Sequence, residues 1–150
     1  MGLIKVLLAG VALAVVGLAA WVRLAPIDAA GYAVLPAVTG PGDTPGLRSF
    51  TAVRDLAAPP DRVLAALDAA ALATPRTTRI AGSVAQERLT YMTRSAVWGF
   101  PDLTTAGIVD GRLVLHGRAR FGKSDLGVNR ARLLGWIAAL GPLVVPAPGA

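Results

Sequence analysis

The side chains that could do chemistry in this sequence are concentrated between His116 and Arg132. This stretch contains six basic or imidazole side chains, and its pattern predicts a strand, a glycine turn and the start of a helix. At such a turn, backbone N–H groups and the positive end of a helix dipole meet arginine guanidinium groups, which suits an anion or a buried carboxylate. We therefore predict a ligand-binding cluster with five members, namely Arg118, Arg120, Asn129, Arg130 and Arg132.

Acidic and hydroxyl side chains near this cluster allow three interpretations. Asp102, Ser124 and Asp125 are predicted to hold the arginines by charge-assisted hydrogen bonds and to cap the following helix. Alternatively, His116 with Asp102 or Asp125 forms the acid–base pair of a hydrolase or lyase, although the pattern places no nucleophile near His116. In the third interpretation these charges only stabilise the fold, and the interaction surface lies elsewhere, for example at Trp98. The sequence favours a non-enzymatic binding module.

Two common kinds of site are not expected. Residues 117–124 match the P-loop pattern G-x-x-x-x-G-K-S, but they alternate like a strand entered through a hairpin turn, whereas a P-loop follows a parallel strand. His116 is the only histidine and the chain has no cysteine, which leaves a carboxylate-only metal site as the sole and weak option. We predict neither a cofactor nor a metal.

The charge balance indicates anionic partners. The formal net charge is +6, and thirteen of the fifteen basic residues are arginine, which favours bidentate pairing with carboxylate or phosphate. This charge is spread along the chain without a run of lysines, so nucleic acid is not predicted as a partner. The expected ligand is an anionic lipid, a metabolite or the carboxylate of a partner protein.

An apolar N-terminal segment predicts a membrane anchor. Val6 to Val22 is an uninterrupted apolar run of 17 residues between Lys5 and Arg23. Snorkelling of both cations extends it to about the 20 residues that a bilayer helix needs, so we assign residues 1–25 to one transmembrane helix. A cleaved signal peptide is the alternative, although Trp21 and Arg23 lie where a cleavage site should be small and neutral. Lys5 and the terminal amine favour an inside N-terminus, with the domain on the extracytoplasmic side, in the cell envelope.

Proline and glycine mark both flanks of the domain. Residues 26–47 contain eight of them, which predicts a linker without regular structure that separates the domain from the bilayer. Residues 142–150 are predicted to form a flexible tail, in which Leu143 to Val145 could pack back on the domain. Residues 48–141 then form a single domain, since the chain has room for one compact domain besides the anchor.

The domain is predicted to be α+β, in the order β-α-β-β-β-α, with an antiparallel sheet of about four strands and two helices on one face. The predicted strands are Ser49–Leu56, Arg79–Val97, Leu103–Val109 and Arg112–Phe121. The predicted helices run from the Pro59–Pro60 step to Thr74 and from Ser124 or Asp125 to Leu140. The last strand aligns His116, Arg118 and Arg120 on the face opposite its apolar side chains. The last helix is predicted to bury Leu126, Leu133, Ile137 and Leu140, with Arg130 in the middle of that stripe.

Three blocks carry a resemblance to a known family: Thr93 to Ser95, Gly99 to Asp102, and Arg118 to Arg132. Over about Arg48 to Leu140 they resemble the domain-of-unknown-function family fourteen ninety-nine. The resemblance implies a small bacterial or plastid protein, often with an N-terminal membrane segment, and no assigned reaction. The signature positions carried over are Asp102, Arg118, Arg120, Gly122, Ser124, Asp125, Gly127, Asn129, Arg130 and Arg132.

The chain departs from the family pattern at Gly117 and Ala119, where members tend to have serine. The missing hydroxyl groups argue against a serine-based mechanism at these two positions. We therefore expect a membrane-anchored envelope protein that binds an anion through its arginine cluster.

Overall fold

The computed structural model describes residues 2–148, which form four helices and six strands. The helices are α1 (Gly2–Leu24), α2 (Ala29–Tyr32), α3 (Pro60–Ala73) and α4 (Val128–Leu140). The strands are β1 (Gly42–Pro45), β2 (Ser49–Asp55), β3 (Thr77–Ser83), β4 (Arg88–Arg94), β5 (Pro101–Val109) and β6 (Arg112–Ala119). Two short 3₁₀ turns, Val84–Gln86 and Gly141–Leu143, follow β3 and α4.

The six strands form one antiparallel sheet in the order β1-β2-β6-β5-β4-β3. The predicted α+β class with an antiparallel sheet is confirmed, but the count of about four strands is wrong. The stretch predicted as one strand over Arg79–Val97 is a hairpin, because a 3₁₀ turn and Glu87 in the left-handed region (φ 48°) reverse the chain between β3 and β4. The sixth strand, β1, pairs with β2 from within the predicted linker.

The hydrophobic core lies between one face of the sheet and the helices α3 and α4. Alternate residues of the strands supply one side of the core, because successive side chains of a strand point to opposite faces. These are Phe50 and Ala52 of β2, Leu89 and Tyr91 of β4, Ala106 of β5, and Leu113 and Leu115 of β6. The helices supply Leu64 and Leu67 on α3, and Leu133 and Trp136 on α4. We call this side of the sheet the helix face.

Of the stripe predicted on α4, Leu133 and Leu140 are buried and Ile137 is partly buried against the core, but Leu126 and Arg130 differ from the prediction. Leu126 is 90% exposed and Arg130 is exposed, whereas Asn129, Leu133, Trp136 and Leu140 are buried. Leu126 lies outside the helix, since Leu126 (φ 52°) and Gly127 (φ 78°) are both left-handed and the helix begins only at Val128. The buried residues keep the helical spacing from this later start.

The opposite side of the sheet is covered by residues 25–40, which we call the crossing segment. Its carbonyl groups accept hydrogen bonds from the sheet, with Arg88 Nη1 donating to Ala33 O (3.0 Å) and Thr105 Oγ1 donating to Tyr32 O (2.5 Å). Leu35 lies over Gly107, and residues 36–40 reach Thr51 on β2. The prolines and glycines predict no regular structure over residues 26–47, and the structure differs there by forming α2 and β1.

The C-terminal residues pack back on the end of β2. Leu56 and Val144 form a β-bridge, the Ala57 N–H donates to Leu143 O (3.0 Å), and the Val145 N–H donates to Asp55 O (2.9 Å). These contacts agree with the expectation that Leu143 to Val145 could pack back on the domain. Residues 149 and 150 of that tail lie outside the described residues.

Candidate functional site

The predicted five-residue cluster is divided by the sheet. Gly117 and Ala119 of β6 face α4, so Arg118 and Arg120 point to the other side, toward the crossing segment. The other three members, Asn129, Arg130 and Arg132, lie on α4, over the helix face. The structure therefore does not bring the five side chains together, because two of them lie on one side of the sheet and three lie on the other.

Arg118 and Arg120 hold the chain that follows α1. Arg118 Nη2 donates to Tyr32 O (2.7 Å), and its guanidinium carbon lies 4.7 Å from the centre of the Tyr32 ring. Arg120 donates from Nη2 to Pro26 O (2.9 Å) and from Nη1 to Ala25 O (3.4 Å). Both arginines thus contact neutral carbonyl groups and fix the crossing segment on the sheet.

A polar cavity of about 390 Å³ lies beside these arginines. We call it the arginine pocket, and its polar lining consists of Tyr32, Arg48, Ser49, His116, Arg118 and Arg120. Among residues 2–148, the guanidinium groups of Arg48, Arg118 and Arg120 form no ion pair with a carboxylate. The positive charges around this cavity are therefore not neutralised by the described part of the chain.

Arg48 is a pocket residue that the sequence reasoning missed. It precedes β2, and it reaches the pocket because β2 pairs with β6 so that Ser49 lies opposite Arg118. The Ala119 N–H also donates to Arg48 O (2.8 Å), which extends the pairing by one residue. A pairing between segments 70 residues apart leaves no signal in the local pattern around Arg48.

His116 contributes a neutral imidazole to the arginine pocket. Its Nδ1 lies 2.8 Å from Thr51 Oγ1 on the neighbouring strand. Burial lowers the pKa of His116, and the positive charge of Arg118 lowers it further. The pocket therefore combines fixed guanidinium charges with a ring that stays uncharged at neutral pH.

The structure does not bring His116 together with either predicted aspartate partner. In the pairing of β5 with β6, His116 lies opposite Thr105 and Asp102 lies opposite Ala119, so the two side chains point to opposite faces of the sheet. Asp125 binds the start of α4, on the helix face. The acid–base pair of the hydrolase or lyase interpretation is therefore not formed.

The two aspartates belong to a hydrogen-bonded network on the helix face. Arg132 donates from Nη2 to Asp102 Oδ2 (3.0 Å) and from Nη1 to Asn129 Oδ1 (2.9 Å). Asn129 in turn donates to Asp125 Oδ2 from its side chain (2.9 Å) and from its backbone N–H (3.2 Å). This chain of contacts joins β5, α4 and the loop before α4, and we call it the carboxylate network.

The two carboxyl groups of the network have opposite pKa shifts. Burial raises the pKa of Asp102, outweighing the nearby Arg132 guanidinium, and the charge of Asp125 adds to the rise. Burial also opposes ionisation of Asp125, but hydrogen bonds from the Asn129 side chain and from the N–H groups of Gly127 and Asn129 lower its pKa overall. Asp125 is thus held as the charged group at the start of α4.

The remaining signature residues near α4 have structural contacts. Ser124 Oγ accepts a hydrogen bond from the Leu126 N–H (3.2 Å). Arg130 is exposed, with its guanidinium carbon 5.9 Å from the centre of the Phe50 ring. On this side of the sheet, the contacts match the interpretation in which the signature stabilises the fold.

A second cavity, also of about 390 Å³, opens between the loop before β5 and the loop before α4. We call it the apolar pocket, since its surface is mostly hydrocarbon, from Phe100, Ala119, Phe121, Leu126 and Val128. The Phe100 and Phe121 ring centres lie 5.8 Å apart, and the Phe121 and Trp21 ring centres lie 5.6 Å apart. The pocket wall therefore continues into the last turns of α1.

The end of α1 is docked on the domain through Arg94. This arginine donates to Val22 O (3.4 Å), Arg23 O (3.1 Å) and Gly99 O (2.9 Å), so one guanidinium joins the helix to the loop before β5. A cation is favourable at the C-terminus of a helix, where carbonyl groups lack partners. Arg23 packs on Gly99, whose left-handed conformation (φ 73°) suits glycine, and donates to Val97 O (3.3 Å).

Helix α1 itself has the length and composition of a membrane span. It has 23 residues and a mean hydropathy of 2.5 over its most apolar stretch, none of which is buried in the protein. A signal sequence near an N-terminus has the same features. The helix is therefore a candidate anchor by its own properties.

The comparison with known proteins identifies the domain. Residues 43–140, from β1 to the end of α4, match the family model described as Protein of unknown function (DUF1499). The chain belongs to this family. The resemblance inferred from the sequence is thereby confirmed, and the DUF1499 match includes both pockets except for the contributions of Tyr32 and α1. No curated protein and no solved structure matches the chain.

Proposed function

We propose that this protein is a membrane-anchored envelope protein whose DUF1499 domain binds an anion of the phosphate or carboxylate type, without catalysis. The observation that carries the proposal is the arginine pocket, in which three guanidinium groups surround one cavity and have no carboxylate partner within residues 2–148. A bound anion would offset their mutual repulsion.

The donors needed for an anion are present in the pocket. A guanidinium group has five N–H donors, and Arg118 uses one for Tyr32 while Arg48 uses one for Gly122 O (3.2 Å). The unused N–H groups suit bidentate binding of phosphate or carboxylate oxygens. Arg118 and Arg120 are half-buried at this cavity, where charges attract an anion more strongly than in bulk water.

The arginine pocket lies close to the end of α1, the proposed membrane anchor. Arg120 binds the carbonyl groups of Ala25 and Pro26, which follow directly after α1, and so the pocket begins within a few residues of the bilayer end of the anchor. Two sources offer the same chemistry at this level, namely a lipid headgroup and a soluble anion. The proposal places the domain on the extracytoplasmic side, which Lys5 near the other end of α1 supports.

The experiment uses the full chain, first in neutral detergent with inorganic phosphate and then in phosphatidylcholine nanodiscs with or without phosphatidylglycerol. Arg48→Gln is the main variant, because Arg48 is exposed and donates one hydrogen bond, so its loss leaves the fold intact. Arg62→Gln is the matched control, an exposed arginine on α3 outside the pocket with the same change of charge. Calorimetric titration and thermal unfolding report binding.

We expect Arg48→Gln to weaken anion binding about tenfold, as the loss of one charge-assisted hydrogen bond implies, while Arg62→Gln binds like the natural chain. Binding of free phosphate would identify a soluble anion, and binding only with phosphatidylglycerol would identify a headgroup. If neither probe binds, or if both variants weaken binding equally, the pocket is not an anion site. The mass of the extracted chain shows directly whether α1 is retained.

A further inference from the structure

We propose that the apolar pocket holds an acyl chain of a bilayer lipid. The proposal depends on α1 lying in the membrane, which is part of the proposed function, and it is independent of anion binding in the arginine pocket. The two pockets lie on opposite sides of β6, since Ala119 faces the apolar pocket while Arg118 and Arg120 point the other way.

The inner surface of the apolar pocket suits hydrocarbon. Its two charged lining residues, Asp102 and Asp125, direct their carboxylates to Arg132, to Asn129 and to the Gly127 N–H. The rest of the wall is mostly aromatic or aliphatic. A volume of 390 Å³ also falls within the range of about 300–1,000 Å³ that is typical of small-molecule pockets.

The position of the pocket indicates that its occupant comes from the membrane. Trp21 lies in the last turn of α1, where an aromatic side chain is expected at the membrane–water interface. Its ring packs on Phe121, which packs on Phe100, and both phenylalanines line the pocket. The pocket therefore lies one ring contact away from the interfacial turn of the anchor, where lipid is the surrounding medium.

The two loops that border the pocket also expose apolar side chains. Val97 is 75% exposed and Trp98 is 44% exposed in the loop before β5, while Leu126 is 90% exposed and Val128 is 50% exposed near the start of α4. Neighbouring exposed apolar side chains are typical of surfaces that contact a membrane or a partner. Lys123, exposed in the second loop, adds a cation that is attracted to anionic headgroups.

Continuity with α1 favours a lipid over a second protein chain. A protein bound at the opening of the apolar pocket would have to lie against the interfacial turn of a membrane helix. Lipid already occupies that position in a bilayer. A lipid chain that leaves the leaflet beside Trp21 instead enters the pocket along the rings of Phe121 and Phe100. Binding of a second copy remains a distinguishable outcome of the test.

The test uses the full chain in nanodiscs that contain phosphatidylcholine with a photoactivatable diazirine near the end of one acyl chain. After irradiation, mass spectrometry maps the labelled residues. We expect labels on Phe100, Phe121 and Val128 in addition to α1, whose labelling is the internal standard. Labels confined to α1, with the pocket left unlabelled because it is empty or because a second copy of the chain covers it, would overturn the proposal.

Val128→Asp is the decisive variant. Val128 is the first residue of α4, where a negative charge is favourable, so the helix is retained while a carboxylate is placed in the pocket wall. We expect pocket labelling to fall about tenfold or more relative to α1, because hydrocarbon excludes an unpaired charge. Val34→Asp is the matched control, a 61% exposed valine in the crossing segment, and its labelling should not change.

A second variant keeps the proposal testable if Val128→Asp does not fold. Leu126→Asn replaces the most exposed leucine of the mouth with a residue that tolerates the left-handed conformation found there. It should reduce pocket labelling while thermal unfolding stays at or above that of the natural chain. Unchanged pocket labelling in a folded variant of either kind would count against an acyl-chain site.

Discussion

Arg132 and Asp102 form an ion pair that joins α4 to β5, with Arg132 Nη2 donating to Asp102 Oδ2 at 3.0 Å. The side chains are only 10% and 18% exposed, so both charges are largely removed from water. Breaking a buried pair by removing one partner is strongly destabilising, because the other charge is left without compensation. This ion pair therefore contributes to the docking of α4 on the sheet.

Arg132→Leu is expected to lower the free energy of unfolding by about 3 kcal/mol at neutral pH, for this reason. Without Arg132, the pKa of Asp102 rises further, since only burial and the charge of Asp125 remain. A carboxyl group whose pKa is higher in the folded state contributes stability only below its unfolded pKa, and that contribution is lost as the pH rises through the folded pKa. Urea unfolding should therefore show a larger deficit at neutral pH than in acid.

The double variant Asp102→Asn with Arg132→Leu is the control for this prediction. It removes the ionisable partner as well, so part of the lost stability should return and the pH dependence of the deficit should disappear. A deficit in Arg132→Leu that is the same at every pH would mean that the charge of Asp102 is not what the loss exposes.

Asp125→Ala should destabilise the protein by about 1 kcal/mol, the usual effect of losing a helix cap. The Asp125 carboxylate accepts hydrogen bonds from the N–H groups of Gly127 and Asn129, although the residue precedes the helix by three positions. Asp125→Asn keeps an acceptor oxygen and should lose less, and thermal unfolding measures both. Equal losses for the two variants would show that the capping oxygen is not the source of the effect.

The carboxylate of Asp125 also has a pH signature. Its pKa is lowered in the folded state, so its contribution is present above the unfolded pKa and is lost as the pH falls through the folded pKa. The difference between the natural chain and Asp125→Ala should therefore shrink in acid.

The sequence predicts what depends on local periodicity, and it fails where distant segments meet. The alternation in β6 places Arg118 and Arg120 on one face, and the structure agrees. On α4, Leu133 and Leu140 are buried as predicted, whereas Leu126 is exposed because the left-handed conformation of Leu126 and Gly127 delays the start of the helix.

The location of the crossing segment depends on contacts that leave no periodic signal. Its prolines and glycines predict a linker without regular structure. In the structure it lies on the sheet, because Arg88, Arg118 and Arg120 donate hydrogen bonds to its carbonyl groups. Those donors are 55 to 94 residues away along the chain. The meeting of Arg48 with Arg118 likewise depends on the register between β2 and β6, which a single sequence does not specify.

Gly117→Ala should destabilise the domain by about 1–3 kcal/mol, because it overpacks the contact between β6 and α4. A Cβ atom at this position would lie 2.9 Å from Asn129 Oδ1 and 3.0 Å from Leu133 Cδ1. Asn129 cannot move freely, since its Oδ1 accepts a hydrogen bond from Arg132. Urea unfolding measures the loss.

Gly135→Ala is the matched control for that change. Gly135 lies inside α4 with no atom near the position of an added Cβ, so alanine should stabilise the helix by up to about 1 kcal/mol. Similar losses in the two variants would indicate that glycine is needed for backbone conformation rather than for close packing at Gly117.

His116 should make the protein less stable as the pH falls through about 6.5, the ordinary pKa of histidine. Burial and the charge of Arg118 lower its pKa in the folded state, so the unfolded chain binds the proton first. Stability is then fully present above the unfolded pKa and decreases until the folded pKa is reached. Asp102 has the opposite sign, and Asp125, which has the same sign, loses its contribution only below the ordinary pKa of an aspartate, so the direction and the pH range together identify His116.

His116→Gln should abolish this slope, since His116 is the only histidine in the chain. Arg118→Gln should reduce it, because the imidazole then loses the positive neighbour that contributes to its low pKa. Urea unfolding at a series of pH values measures the slope, and NMR titration of the ring measures the pKa directly.

Sulfate bound in the arginine pocket would raise the pKa of His116 by supplying a negative charge. The affinity for sulfate should therefore increase toward acid in the natural chain and stay constant in His116→Gln. An affinity that does not depend on pH in the natural chain would place the anion away from His116.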